Sequence, residues 1–181
     1  MLDNLKRKLY LRRLNQLEHN LQRSRKVHNL HTAKYVGIVA QTASEQVFSD
    51  IMAFKNSLSE RGIRTAGCIL YPNKQIPNSF LMRKDVEIVG NDTLNWLSIP
   101  SKGAGQTFVN EPFDLLIDLS VDEELPVRWL SSLSRAQCKV GLLPYANNPF
   151  DLIVNSNLNK PMALLIKDIT DILLTLNNTT K

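Results

Sequence analysis

The sequence predicts an α/β fold, a three-layer Rossmann-like sandwich with a mostly parallel sheet and an N-terminal basic helical extension. Short apolar runs of buried-strand length alternate with amphipathic stretches at a helical period, which is typical of β-α-β units. The cations are also concentrated at one end of the chain. The first 34 residues hold nine Lys/Arg and two acidic residues, net +7, whereas the other 147 hold 13 and 15, net −2. We therefore place a basic extension at 1–33 and an α/β domain at 34–181.

The extension is predicted to form one long helix over residues 2–26, because this segment contains neither Pro nor Gly. At 100° per residue, Tyr10, Leu14, Leu17 and Leu21 form one apolar stripe that can dock on the domain. A localised cationic surface attracts polyanions, so the basic side chains are candidates for contacts with nucleic-acid phosphates. These candidates are Lys6, Arg7, Lys8, Arg12, Arg13, Arg23, Arg25 and Lys26.

The first β-α-β unit begins directly after the extension. An apolar strand at 35–40 precedes a capping-box pattern at Thr42–Glu45, and a helix follows with Val47, Ile51, Phe54 and Leu58 on its inner face. Gly62 is predicted to end this helix in the left-handed conformation, and a second strand spans 65–71. Such units cross over right-handed and give a parallel sheet.

The second half of the chain regains regularity after a less regular middle. Residues 74–110 yield only a short strand at 86–89 and a turn at 94–97 anchored by Trp96. A strong central strand is predicted at 113–119, followed by a capping pattern at 120–123 and a helix over about 125–136. Later strands are predicted at 139–143 and 151–154. Pro161 then opens a final amphipathic helix.

Both cysteines lie inside apolar strands, which indicates buried free thiols in a reducing compartment. No stretch approaches the roughly 20 apolar residues of a membrane span, and Arg12 and Arg13 interrupt the apolar run that a secretory signal needs. We therefore expect a cytoplasmic protein.

The carboxyl ends of parallel strands form the rim where open α/β sheets bind ligands. All three histidines precede residue 35, so this rim has no imidazole to act as a base near neutral pH, and no nucleophile–base pattern is present. His28 and His31 have helical metal-ligand spacing but no partners nearby, so we expect no metal site. The sequence favours a non-enzymatic protein with no cofactor. The polar rim residues are Gln41, Thr42, Asn73, Asp118, Ser120, Tyr145 and Asn147.

Three segments, at 113–119, 130–136 and 139–141, resemble the N-terminal domain of heptosyltransferase-type (GT-B) glycosyltransferases. In that family a D-L-V-I-D-L strand leads to a helix and an A-K-x-R-I-G strand. The resemblance implies a Rossmann-like fold. Gln41-Thr42-Ala43 stands where the family has a Gly-Asp pair, and the nucleotide-sugar half has no counterpart here, so transferase activity is not implied.

The order of the basic helix, the segment 34–38, Asn95-Trp96, the segment 111–118 and the segment 134–141 resembles a small family of uncharacterised bacterial α/β proteins. That resemblance implies the fold and a cytoplasmic setting, and it supplies no substrate or catalytic residue.

The leading functional hypothesis is a protein that binds RNA or a ribonucleoprotein, the ribosome included, through the basic helix. An α/β domain that binds a small molecule or nucleotide sugar at the strand-end rim is the alternative. A third hypothesis is a peripheral membrane protein, since a basic amphipathic helix also suits anionic lipid. The absence of Trp and Phe from the helix disfavours it.

Overall fold

The computed structural model describes residues 2–81, 83–101 and 103–176. The predicted extension (1–33) and the predicted domain (34–181) therefore each include residues outside the described ranges. The elements in chain order are α1 (Leu2–His19), β1 (Tyr35–Gln41), α2 (Glu45–Glu60), β2 (Arg64–Tyr71), β3 (Val86–Gly90), a 3₁₀ turn (Asn91–Thr93), α3 (Gln106–Asn110), β4 (Leu115–Asp118), α4 (Leu125–Leu133), β5 (Cys138–Gly141), β6 (Leu152–Ile153) and α5 (Met162–Thr175).

The six strands form one sheet in the order β3-β2-β1-β4-β5-β6, and every neighbouring pair is parallel. The Rossmann-like α/β prediction is confirmed. Because the order reverses between β1 and β4, the loops after these two strands diverge at the carboxyl edge and leave a crevice there.

Side-chain alternation along the strands divides the core between two layers of helices. Val36, Ile38 and Ala40 of β1 face the layer of α2 and α5, whereas Val39 faces α3 and α4. Glycine is needed at position 37 because the Phe113 ring packs directly against the backbone there. A Cβ on Gly37 would come within 2.7 Å of that ring. Strands buried on both faces in this way read as continuous apolar runs, which is why the sequence revealed them.

The basic helix α1 packs on the outer side of α4. Tyr10 and Leu14 are fully buried and contact Leu125, Trp129 and Leu133. The Tyr10 hydroxyl donates a 2.6 Å hydrogen bond to the Leu125 carbonyl at the start of α4. The extension is therefore held in a fixed orientation against the domain.

The predicted helix over residues 2–26 is too long, since α1 ends at His19. The Lys26 amide donates a hydrogen bond to the Gln137 carbonyl, and the Leu30 amide donates one to the Leu173 carbonyl. The backbone after α1 therefore forms hydrogen bonds with the domain and does not continue the helix. Leu30 and Ala33 also enter the main core. Tertiary hydrogen bonds thus override a helix-compatible sequence.

Both predicted capping patterns are wrong. The cap of α2 is Ser44, whose Oγ accepts a 3.3 Å bond from the Val47 amide, while Thr42 Oγ1 accepts from the Ser44 amide. Helix α4 begins after Glu124 with no side-chain cap. Neighbouring Ser, Thr and Asp residues are interchangeable as caps, so sequence spacing selected the wrong ones.

The middle segment differs most from the prediction. Trp96 is 68% exposed and anchors nothing, whereas Leu97 and Ile99 pack beside α1. The helix α3 was not predicted, because in five residues the apolar positions cannot repeat at a helical spacing. The strand β3 is present as an edge strand. Gly62 ends α2 with φ +78°, as predicted, and both cysteines are free and buried.

Candidate nucleic-acid interface

Helix α1 presents three exposed cations to solvent. Lys8, Arg12 and Arg13 are exposed, and within the described part of the chain none of their side chains enters an ion pair or hydrogen bond. We call these three residues the cationic face. Since Tyr10 and Leu14 fix the helix on α4, the cationic face is held in place before any partner binds.

Exposed leucines accompany the cationic face. Leu5 is 55% exposed and Leu9 is 37% exposed. Both lie on the outer side of the helix at i, i+4 spacing. The outer side therefore offers charge together with a small apolar contact.

Two of the predicted nucleic-acid residues instead join the extension to the domain. Arg7 donates two 2.8 Å hydrogen bonds to Glu123. Arg23 pairs with Asp151, and its Nε donates a 2.6 Å bond to the Ala136 carbonyl. The Arg23 side chain is only 8% exposed, so its charge is already compensated inside the fold.

The remaining predicted cations lie at the sides of this surface. Lys6 is half-buried, while Arg25 and Lys26 are exposed. Arg25 lies 4.0 Å from an Asp151 oxygen, with a side chain that is 76% exposed. Arg25 thus neighbours the Arg23–Asp151 pair.

The predicted ligand rim is divided into two separate spaces. The first is a crevice of about 240 Å³ at the ends of β1, β2 and β3, where Gln41 meets Tyr71, Asn91 and Glu124. No Lys or Arg occurs among the described residues that line it. A phosphate-bearing ligand would therefore find no cation in it.

The second space is a small cavity beneath the β4–α4 connection, lined by Asp118, Ser120 and Tyr145. Asp118 is 3% exposed, and its two carboxylate oxygens accept bonds from the Ser120 amide and the Ser131 hydroxyl. Burial raises the pKa of Asp118, against the effect of these two hydrogen bonds. Asp118 thus ties β4 to α4 and is closed off from solvent.

The other rim residues do not converge on either space. Thr42 is buried and bonded to the Ser44 amide. Asn73 and Asn147 are exposed, and Asn147 adopts φ +55°.

Sequence reasoning missed two buried cations next to α1. Lys139 is 2% exposed, and its Nζ donates a 2.8 Å bond to the Ser132 carbonyl. Desolvation, followed by the charge of Arg23, lowers the pKa of Lys139 to about 7. The position was detectable, because a lysine inside Cys138–Gly141, a strand apolar on both faces, has no route to solvent.

The second missed cation is Arg128, which is 5% exposed. It pairs with Glu123, so this carboxylate receives hydrogen bonds from both Arg7 and Arg128. Burial raises the pKa of Glu123, but these bonds outweigh it and hold that pKa below its usual value. Glu123 thereby links α1 to α4.

Neither a metal site nor a membrane span emerges from the described ranges. They contain no group of three or more His, Cys, Asp or Glu residues that could hold a metal ion. His28 is buried beside the Gln137 side chain at 3.1 Å, whereas His31 is exposed. Every described helix is too short or too polar to cross a bilayer.

Comparison with known proteins gives a family and a distant structural likeness. A profile described as "Family of unknown function (DUF6913)" matches residues 6–176. The search of curated proteins gave no match. Among solved structures, E. coli heptosyltransferase WaaC with ADP is similar with a TM-score of 0.49 and 10% identity, over 81% of this chain and 49% of that one. The chain thus spans about half the length of that protein.

Proposed function

Because the chain belongs to DUF6913, a family of unknown function, its function has to be argued from its own surfaces, and we propose that it binds RNA through the outer face of α1. The observation that carries this proposal is the cationic face. Lys8, Arg12 and Arg13 are exposed without partners among the described residues, whereas Arg7 and Arg23 are compensated by carboxylates. Uncompensated cations are the groups that phosphates recruit.

The spacing of these cations supports a phosphate-bearing partner. Lys8 and Arg12 are one helical turn apart, about 6 Å along the axis. Guanidinium groups bind phosphate oxygens in a bidentate manner. Because α1 is already docked on α4, little backbone entropy is lost when its side chains meet a polyanion.

Leu5 and Leu9 suit a ribonucleoprotein, where protein lies beside RNA. In that setting the leucines would contact an apolar patch while the arginines reach phosphates. A complex of this kind, with the ribosome as one candidate and the cytoplasm as its setting, is the specific form of the proposal.

The rim crevice is weaker as an alternative site. Its volume of about 240 Å³ is below the roughly 300–1,000 Å³ of ordinary small-molecule sites. Its described lining carries Glu124 and no cation, so a nucleotide sugar does not suit it. The cationic face remains the better supported site.

The test replaces all three cations together, as Lys8→Gln, Arg12→Gln and Arg13→Gln. We expect affinity for single-stranded RNA to fall, and the slope of log Kobs against log[salt] to become shallower by about 2, since each phosphate contact contributes roughly 0.7. Filter binding over a salt series measures both quantities.

A matched control removes three exposed cations elsewhere, as Lys74→Gln, Arg83→Gln and Lys84→Gln. The net charge changes equally, so only the location differs. Equal losses in the two triple variants would mean that net charge, and not the cationic face, governs binding. Binding to anionic vesicles without binding to RNA would assign the surface to lipid and contradict the proposal.

Deleting residues 1–30 would be a poor test. Leu30 belongs to the main core, and removal of Tyr10 and Leu14 uncovers Trp129. Loss of RNA binding could then follow from misfolding. The substitutions leave this packing intact.

A further inference from the structure

Three buried polar atoms of residues around one small cavity have no hydrogen-bond partner within the described ranges of the chain. They are Ser120 Oγ, Arg128 Nε and the Tyr145 hydroxyl. All three residues line the cavity beneath the β4–α4 connection, at the carboxyl edge of the sheet. Leaving a buried donor or acceptor unpaired costs about 1–3 kcal/mol. Three such atoms at one place therefore point to a shared partner.

The other two nitrogens of Arg128 each have a hydrogen-bond partner. Its Nη1 pairs with Glu123, and its Nη2 lies 3.2 Å and 3.4 Å from the carbonyl oxygens of Ala146 and Asn147. Its guanidinium carbon lies 4.7 Å from the centre of the Tyr145 ring. The side chain is 5% exposed, so Nε cannot obtain a partner from bulk solvent. Nε is the nitrogen of Arg128 that has no partner among the described residues, and Arg128 lines the cavity.

The cavity is the size of one water molecule. The volume in which the centre of a water-sized sphere can lie is about 10 Å³. One water needs roughly 10–15 Å³ of such volume. Its charged lining consists of Arg128 and the carboxylates Asp118, Asp122, Glu123 and Glu124. These carboxylates disfavour an anion. The Nε–H of Arg128 can only donate, so its partner must be an acceptor, which a metal cation is not. A neutral molecule of one heavy atom is what remains.

We propose that this cavity is a structural water site, in which one water accepts from Arg128 Nε and also bonds Ser120 Oγ and the Tyr145 hydroxyl. Water has two donors and two acceptors, so it satisfies all three atoms at once, within the usual two to four partners of buried water. Burial raises the pKa of Tyr145, which keeps its phenol protonated and able to donate. The water would join the ends of β4 and β5 to α4.

A crystal structure at a resolution that shows ordered waters tests the site directly. The expected result is a single density peak within about 2.6–3.2 Å of all three atoms. Direct bonds among Ser120, Arg128 and Tyr145 that close the cavity would overturn the proposal. An ion bound in the cavity, with the Arg128 side chain moved away from Glu123, would also overturn it.

A solution test uses the nuclear Overhauser effect (NOE) between water and the Arg128 Nε–H in ¹⁵N-arginine-labelled full-length protein. Ser120→Ala and Tyr145→Phe each leave two of the three partners, so the NOE should persist. Ser120→Val fills the cavity with methyl groups, so the NOE should be lost. Ser49→Val, on the exposed side of α2, is the matched control and should retain it.

The two conservative variants exclude an indirect signal. If either hydroxyl relayed magnetisation by proton exchange, its removal would abolish the NOE. Loss in Ser120→Ala or Tyr145→Phe, or no NOE in the unsubstituted protein, would therefore overturn the water site. Amide fingerprint spectra verify that each variant remains folded.

Discussion

Replacing Lys139 with Met should stabilise the protein at neutral pH, although it removes a hydrogen bond. The pKa of Lys139 falls from 10.5 to about 7 on folding. Each pKa unit corresponds to about 1.4 kcal/mol, so burial of this amine costs roughly 5 kcal/mol at pH 7. Loss of the bond to the Ser132 carbonyl costs about 1 kcal/mol. The net expected gain is roughly 3–4 kcal/mol, since Met also fills the space of the lysine chain.

The pH dependence of stability identifies the cause. Between about pH 7 and pH 10.5 the unfolded chain holds a proton on Lys139 that the folded chain does not, so the free energy of unfolding should rise with pH by about 1.4 kcal/mol per unit. This rise comes from the lowered pKa and should be absent in Lys139→Met. Below about pH 7 both states are protonated, and the contribution of Lys139 to the slope should vanish.

Urea unfolding followed by Trp fluorescence at several values between pH 6 and pH 10 measures this dependence. Lys74→Met, at an exposed position, is the matched control and should change stability little at any pH. A destabilised Lys139→Met variant, with the unsubstituted protein showing no rise across this range, would refute the reasoning. It would mean that Lys139 is buried as an ammonium ion with adequate partners.

Three further substitutions examine the packing. Leu116→Ala on β4 should cost about 2–5 kcal/mol in chemical denaturation, because its side chain is fully buried; a cost below 1 kcal/mol would contradict its central position. Gly37→Ala should destabilise by about 1–3 kcal/mol, since its Cβ would meet the Phe113 ring, and adding Phe113→Leu should recover part of that loss; additive costs would exclude the contact. Tyr10→Phe should cost about 0.5–1.5 kcal/mol through its bond to Leu125, and an unchanged denaturation midpoint would show that this bond does not hold α1.

The sheet was predictable because its strands are apolar on both faces, and this signal is local. Tyr35–Gln41 and Leu115–Asp118 lie at the centre, as their sequences indicated. The end of α1 was not predictable, because it depends on partners such as Gln137 and Leu173, more than 100 positions away. Helix propensity contains no information on such bonds.

The candidate site was predictable only in outline. Charge counting located the basic surface, and Lys8, Arg12 and Arg13 are exposed on it. It could not separate these cations from Arg7 and Arg23, whose carboxylate partners come from distant loops. Composition gives the number of charges, whereas folding decides which of them are already compensated.

The packing of α1 on α4 has a consequence for the order in which the chain can assemble. Arg7 and Glu123 are separated by 116 positions, so α1 is synthesised long before its docking surface exists. At about 5–20 residues per second, the delay is roughly 6–23 s. Throughout that interval Tyr10 and Leu14 lack the α4 side chains on which they pack, and Arg7 and Arg23 lack the carboxylates that compensate them. A nascent chain therefore displays a more cationic and more apolar N-terminal segment than the finished protein does.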